Sequence, residues 1–215
     1  MTVKKRTGQS IMEQVNMDAI EEFCRQIYYV DPYTAMHAED VAELMAGLAS
    51  QMFFSSEEIS FAYMVGVLHD VGKIRTPEHI LTKPAKLTQE EYEIMKRHSE
   101  DGAKMLSAIE GAAPIAQIMR HHHERFDGKG YPDGLRGGRI PLYSRMLAVC
   151  DTFDAMTTHR CYRYPVALED CLTEIQRCAG AQFDPEVCEA FIDFVADRFG
   201  FVIAKETKEK KIAVR

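Results

Sequence analysis

The 215-residue chain lacks a long apolar run, a CxxC pair, an excess of positive charge and any sustained strand-like alternation. Each absence closes a possibility. The longest apolar run, Phe61 to Leu68, falls far short of the roughly 20 residues that span a bilayer. The basic opening, MTVKKRTGQS, is not followed by a long apolar stretch, so it does not read as a secretion signal. Neither export nor membrane insertion is expected, and the expected location is the cytoplasm. Against 26 Lys and Arg stand 33 Asp and Glu, a net charge of −7. Duplex nucleic acid needs a basic footprint that this balance does not supply, whereas a few local cations can still gather a small phosphate ligand. The six cysteines, Cys24, Cys150, Cys161, Cys171, Cys178 and Cys188, mostly fall in or beside helical patterns. They read as small core residues in a reducing compartment. No repeat or low-complexity segment interrupts a composition of 46% hydrophobic and 27% charged residues, the mix of an ordinary globular protein large enough to bury a core.

What is present is a series of helices with short connections. Asp31-Pro32 opens a helix to about Met52, with Val41, Leu44, Met45 and Leu48 at helical spacing. Ser55 with Glu58, and Thr88 with Glu91, form capping boxes. The first of these helices is expected to run to about Val71 and stop at Gly72. Pro114 opens a helix that leads into His121, His122 and His123, and Pro141 opens one to about Thr157. A further helix spans Pro165 to Ala179, closed by Gly180, and Asp184-Pro185 starts the last, ending at Gly200. Arg125 to Gly138 holds five Gly and one Pro in fourteen residues. A loop of that length inside a helical domain is usually functional. The expected organisation is an N-terminal segment 1–16, one all-α domain over 17–203 and a lysine-rich tail 204–215.

Eight histidines are unevenly placed. His69-Asp70 ends an apolar helix, where polar groups are costly unless paired or bound to metal. His37 and Asp151 lie in amphipathic helices, and His98 sits in a polar stretch near a helix end. The run of three histidines falls where a helix frays, which lets neighbouring imidazoles reach one metal. His79 and His159 read as ordinary side chains. The set His37, His69, Asp70, His98, His122, His123 and Asp151 has imidazole and carboxylate but no thiolate, which suits Fe or Mn better than structural Zn. It is too large for one ion. Two ions sharing a carboxylate would accommodate it, an arrangement that periodicity allows without requiring.

The motifs LHDVGKI (Leu68–Ile74), LTKPAKLTQEE (Leu81–Glu91), HHERFDGKGYP (His122–Pro132), IPLYSRMLAVCDTFDAMTTHRCYR (Ile140–Arg163) and GAQFDPEV (Gly180–Val187) follow one another in order, with His98 and Gly102 between the second and third. In this the chain resembles the HD-GYP family of HD-domain metal-dependent phosphohydrolases over roughly residues 17–200. The resemblance implies a compact helical bundle of the HD type and a phosphodiesterase that hydrolyses cyclic di-GMP to linear pGpG or GMP by attack of a hydroxide shared between two divalent ions. Cyclic GMP-AMP or another nucleotide is an alternative substrate, and a catalytically silent cyclic dinucleotide sensor or interaction module an alternative role.

Carried over residue by residue, the resemblance gives one ion His37, His69, Asp70 and Asp151, and the other His98, His122 and His123 with Asp70 bridging. His121 is left to face solvent or cap its helix. Lys73 would contact phosphate or assist the leaving group, alongside Asp70 in catalysis. Gly130, Tyr131, Asp154, Arg160 and Arg163 join Lys73 in substrate binding, with Asp154 alternatively orienting a ligand, and Asp127 caps the glycine loop. Two departures stand out. Tyr33 replaces the Glu that binds a third metal in some members, so two ions are expected, and Asp40 stands where a positive charge is common. Only about sixteen residues precede the first helix, so the expectation is a freestanding catalytic domain. Its input would come from a homodimer, a separate sensor or GGDEF-type protein, metal supply or redox state.

Overall fold

The computed structural model describes residues 15–30, 32–158, 165–200, 202–204 and 211–213. Ten helices follow in order among them: α1 Met17–Val30, α2 Pro32–Gln51, α3 Ser56–Leu68, α4 Glu78–Leu81, α5 Gln89–Lys96, α6 His98–Ser107, α7 Ala113–Arg120, α8 Leu142–Thr157, α9 Leu168–Arg177 and α10 Pro185–Phe199. The architecture is all-α. Its one addition is an antiparallel ribbon of β1 (Val202–Ala204) and β2 (Lys211–Ala213), so part of the segment read as a loose tail pairs as a strand. Both capping boxes form: the Ser55 and Thr88 hydroxyls accept from the amides of Glu58 and Glu91, whose carboxylates return to the cap amides. Asp184 accepts from the Glu186 amide at the start of α10, and Gly200, at φ 71°, ends it.

α2, α3, α7, α8 and α10 surround a continuous core in which Met45, Leu48, Leu68, Ile115, Met119, Leu147 and Phe191 are fully buried. Each such side chain contributes about 1.5–3 kcal/mol of transfer free energy. α1 packs in cis on this body, burying Ile20 and partly burying Phe23. α3 ends sooner than expected. His69 closes it, and the chain tightens into a 3-10 turn over Val71–Arg75. Gly72 serves a different purpose from a helix stop: a Cβ there would lie 1.9 Å from the His98 carbonyl oxygen. Its bare backbone lets the HD turn press against the start of α6.

Candidate metal centre and substrate cleft

Five elements deliver seven side chains to one place. His37 comes from α2, His69 and Asp70 from the end of α3, His98 from the first position of α6, His122 and His123 from the turn after α7, and Asp151 from α8. Their ligand atoms form two groups, His37 with His69 and Asp70, and His98 with His122 and His123, each within a 4.8 Å span. Asp151 joins the first group, its Oδ1 lying 3.1 Å from His37 Nε2. Asp70 lies between the two. Its Oδ2 is 3.2 Å from His69 Nε2 and 4.0 Å from His37 Nε2, while Oδ1 is 3.5 Å from His98 Nε2.

The imidazoles are oriented from behind. Nδ1 of His69, His98 and His122 faces the carbonyl oxygens of Gly66, Met95 and Met119 at 2.6–2.7 Å. A carbonyl only accepts, so each Nδ1 carries the proton and each Nε2 presents a lone pair inward, as a metal-ligating histidine requires. Nε2 of His98 lies 3.3 Å from that of His122 and 3.0 Å from that of His123. The inward lone pairs of His98 and His122 repel at that separation unless a cation lies between them. Nε2 of His69 is buried without a hydrogen-bond partner, and such an atom is costly in isolation. The donor set therefore fits divalent metal at both groups.

The electrostatics of the second group agree, whereas in the first burial is outweighed by the hydrogen bonds of Asp151 and Asp154, which raise His37 to about 9. Burial, aided by neighbouring imidazoles, pushes His122 down to about 3 and holds His123 well below its ordinary range, while His98 is lowered chiefly by burial. These three are neutral at physiological pH, the state that holding a metal would require. Burial would raise the carboxyls of Asp70 and Asp151, but the Lys73 ammonium in the first case and the hydrogen bond from His37 in the second outweigh it and keep both ionised.

Around this centre the structure assigns places to the remaining expected residues. Lys73 Nζ is 2.5 Å from Asp70 Oδ2, at the edge of the cluster and partly open to solvent. Tyr131 lays its ring on His123, with centroids 4.9 Å apart and planes 32° from parallel, and its amide donates to the His123 carbonyl. Asp127 caps the glycine loop through the Lys129 amide and pairs with Arg125. His79 is exposed, away from the cluster. Arg160, Arg163 and His159 lie outside the described residues, as does the Tyr33 side chain.

Three readings change. Asp154, expected to touch substrate, is buried with both oxygens engaged: Oδ2 lies 2.5 Å from His37 Nδ1 and Oδ1 accepts from the Thr158 hydroxyl. It orients His37, the alternative role considered for it. His121 does not face solvent but caps α7, the other role expected of it, buried between the Gln117 carbonyl of the last turn and Asp133. Gly130 is a glycine because its own loop requires it: a Cβ would lie 2.3 Å from the Arg125 nitrogen and 2.5 Å from the Glu124 Cα. Its small size answers to that packing.

One residue of consequence was missed. Glu124, buried directly after the histidine pair, accepts from the amides of Asp133 at 2.7 Å and Leu135 at 3.1 Å. Arg120 and His121 hold the Asp133 side chain from the other side. Together they fix the glycine loop, and with it Tyr131, against the metal centre. A carboxylate adjoining two ligand histidines was the available signal.

A family model described as HD domain matches residues 22–187, and the HD pair it names lies at the centre of the cluster just described. The chain belongs to the HD domain family. Among relatives, a cyclic di-GMP phosphodiesterase of Thermotoga maritima is 42% identical over 168 residues, covering 76% of this chain and 45% of that protein. A 3′3′-cGAMP-specific phosphodiesterase of Vibrio cholerae is 41% identical over 140 residues, covering 65% of this chain and 32% of that protein. This HD domain thus spans less than half the length of either relative. Among solved structures, Bd1817, an HDG"Y"P protein from Bdellovibrio bacteriovorus, superposes with a TM-score of 0.62 at 15% identity, over 84% of this chain and 65% of that one, and supports the helical fold. These comparisons bear out the HD-GYP resemblance. Among the described residues no helix is long and apolar enough to cross a membrane.

Proposed function

We propose that this HD domain is a metal-dependent phosphodiesterase that opens cyclic di-GMP to linear pGpG or GMP. The observation that carries the reading is Asp70, buried between two groups of ligands with one oxygen toward each. Two divalent ions held there would supply Lewis acidity toward a phosphodiester and a water of lowered pKa. Imidazole and carboxylate donors favour Fe or Mn. The chain's own residues do the rest. Asp154 and the three carbonyl partners hold the imidazoles in the ligating tautomer. Lys73, anchored on Asp70 but partly exposed, holds charge on the phosphate and gives a proton to the leaving 3′ oxygen. Tyr131 closes one wall and excludes water. Arg160 and Arg163, with the geometry of guanidinium rather than ammonium, hold the substrate phosphates.

As part of the same reading we place the protein in the cytoplasm and propose a second copy or a separate sensor protein as its partner. The test is direct. Protein loaded anaerobically with Fe or Mn is assayed for metal content, then incubated with cyclic di-GMP and with 3′3′-cGAMP, and the products are separated. Linear products from cyclic di-GMP at two metals per chain are expected. Tight binding without products would favour a silent sensor, and cleavage of 3′3′-cGAMP alone would reassign the substrate.

A further inference from the structure

α5 is unlike the other long helices in that none of its residues is buried. Yet it carries an aromatic, Tyr92, that is 45% exposed, and core packing does not account for it. One turn on, the Lys96 ammonium lies 5.4 Å from the centroid of the Tyr92 ring and 5.5 Å from that of Tyr131. Tyr131 in turn lies on His123, a ligand of the metal centre. A continuous path therefore leads outward from the His123 imidazole to one phenol ring, to an ammonium and to a second phenol ring. Glu93 holds the same ammonium from the solvent side at 2.6 Å.

We propose that Tyr92 and Lys96 of α5, together with Tyr131, form the subsite that binds a purine base of the substrate and favours guanine. This rests on the reading that the metal centre takes a guanine-containing cyclic dinucleotide. Phosphate at the metals would bring the attached nucleoside beside the centre, and on its His123 side lie Tyr131 and, past Lys96, Tyr92. An exposed phenol ring gives a base a stacking face. An ammonium beside it selects among bases. Guanine offers two acceptors, O6 and N7, on one edge, whereas adenine offers N7 beside a donating amino group. Lys96 donates to both groups of the first edge and is opposed by half of the second.

The experiment uses the metal-loaded protein with Tyr92→Ala and Lys96→Met, the second of which keeps the apolar stem and removes the charge. Hydrolysis of bis(p-nitrophenyl) phosphate, a diester with no base to read, reports the state of the metal centre in each variant. Tyr92→Ala is expected to raise KM for cyclic di-GMP roughly fivefold or more, the loss of one stacked base, with a smaller change in kcat. Titration of GMP and AMP forms the second arm. Wild type should prefer GMP, and Lys96→Met should lose that preference. Wild-type KM for cyclic di-GMP in both variants, or a parallel loss of bis(p-nitrophenyl) phosphate hydrolysis, would overturn the subsite. So would a wild type that binds GMP and AMP alike. A protein that cleaves no cyclic dinucleotide but keeps a GMP preference lost in Lys96→Met would leave the subsite standing and remove the phosphodiesterase reading.

Discussion

Removing the Glu124 carboxylate should release the glycine loop without touching a metal ligand. In the folded chain its two oxygens accept from the Asp133 and Leu135 amides at 2.7 and 3.1 Å, and the residue is 4% exposed. A hydrogen bond to a charged acceptor contributes about 1.5–3 kcal/mol, so two contribute about 3–6 kcal/mol before the cost of burying the carboxylate is set against them. A net loss of about 2–4 kcal/mol remains after that desolvation. The loop can open while the rest of the fold stays closed, so amide hydrogen exchange at Asp133 and Leu135 reads the effect more directly than global unfolding. In Glu124→Ala their protection should fall roughly 30- to 700-fold, at about 1.4 kcal/mol per factor of ten. Glu124→Gln keeps one acceptor but turns an NH2 toward an amide, and should fall between the two. Unchanged exchange at both amides in Glu124→Ala would refute the claim that this carboxylate holds the loop.

Asp70→Ala should abolish turnover and lower metal content in both groups, because its oxygens face both; elemental analysis showing two ions per chain would reject the shared carboxylate. Arg160→Ala, a charge placed on the substrate phosphates by resemblance, should keep its metal and lose roughly tenfold to hundredfold in cyclic di-GMP affinity, the loss of one charge-assisted contact; equal affinity by titration would remove that role. Asp133 is held down to about 2, first by its hydrogen bond to Arg120 and then by His121. Its folded pKa lies below the ordinary aspartate value of 3.8, so its stabilisation is present above that value and is lost as pH falls through about 2. Denaturation midpoints should decline over that window, and less steeply in Asp133→Asn.

Local signals carried much of the fold. The capping boxes at Ser55 and Thr88 and the Asp184-Pro185 start were legible because a cap is satisfied within four residues of itself. The end of α3 was misread for the opposite reason. Gly72 looks like a helix stop, but its constraint comes from the His98 carbonyl, 26 positions away in the sequence. Glu124 and Gly130 fall in the same class. Glu124 satisfies backbone amides nine and eleven residues on, and Gly130 is bare because the backbone of Glu124 and Arg125 passes against it. Sequence spacing does not reveal which amides a loop will turn inward, so these residues had no visible partner until the chain was folded.

The three consecutive histidines show how fold and motif settle a choice that periodicity leaves open. On a continuing helix, His121, His122 and His123 would point about 100° apart, and at most one would face a given ion. α7 instead ends at Arg120 and the three residues form a turn. Losing the helical repeat brings the His122 and His123 rings to 3.9 Å between centroids, both toward His98. His121 is held on the opposite side, because its Nε2 meets Asp133 on the returning glycine loop while its Nδ1 stays with the last turn of α7. The carboxylate that takes His121 away from the metal therefore belongs to the loop that carries Tyr131. Docking of that loop and selection of the ligand pair are one event: a chain that failed to place Asp133 would leave His121 free to compete with its neighbours for the centre.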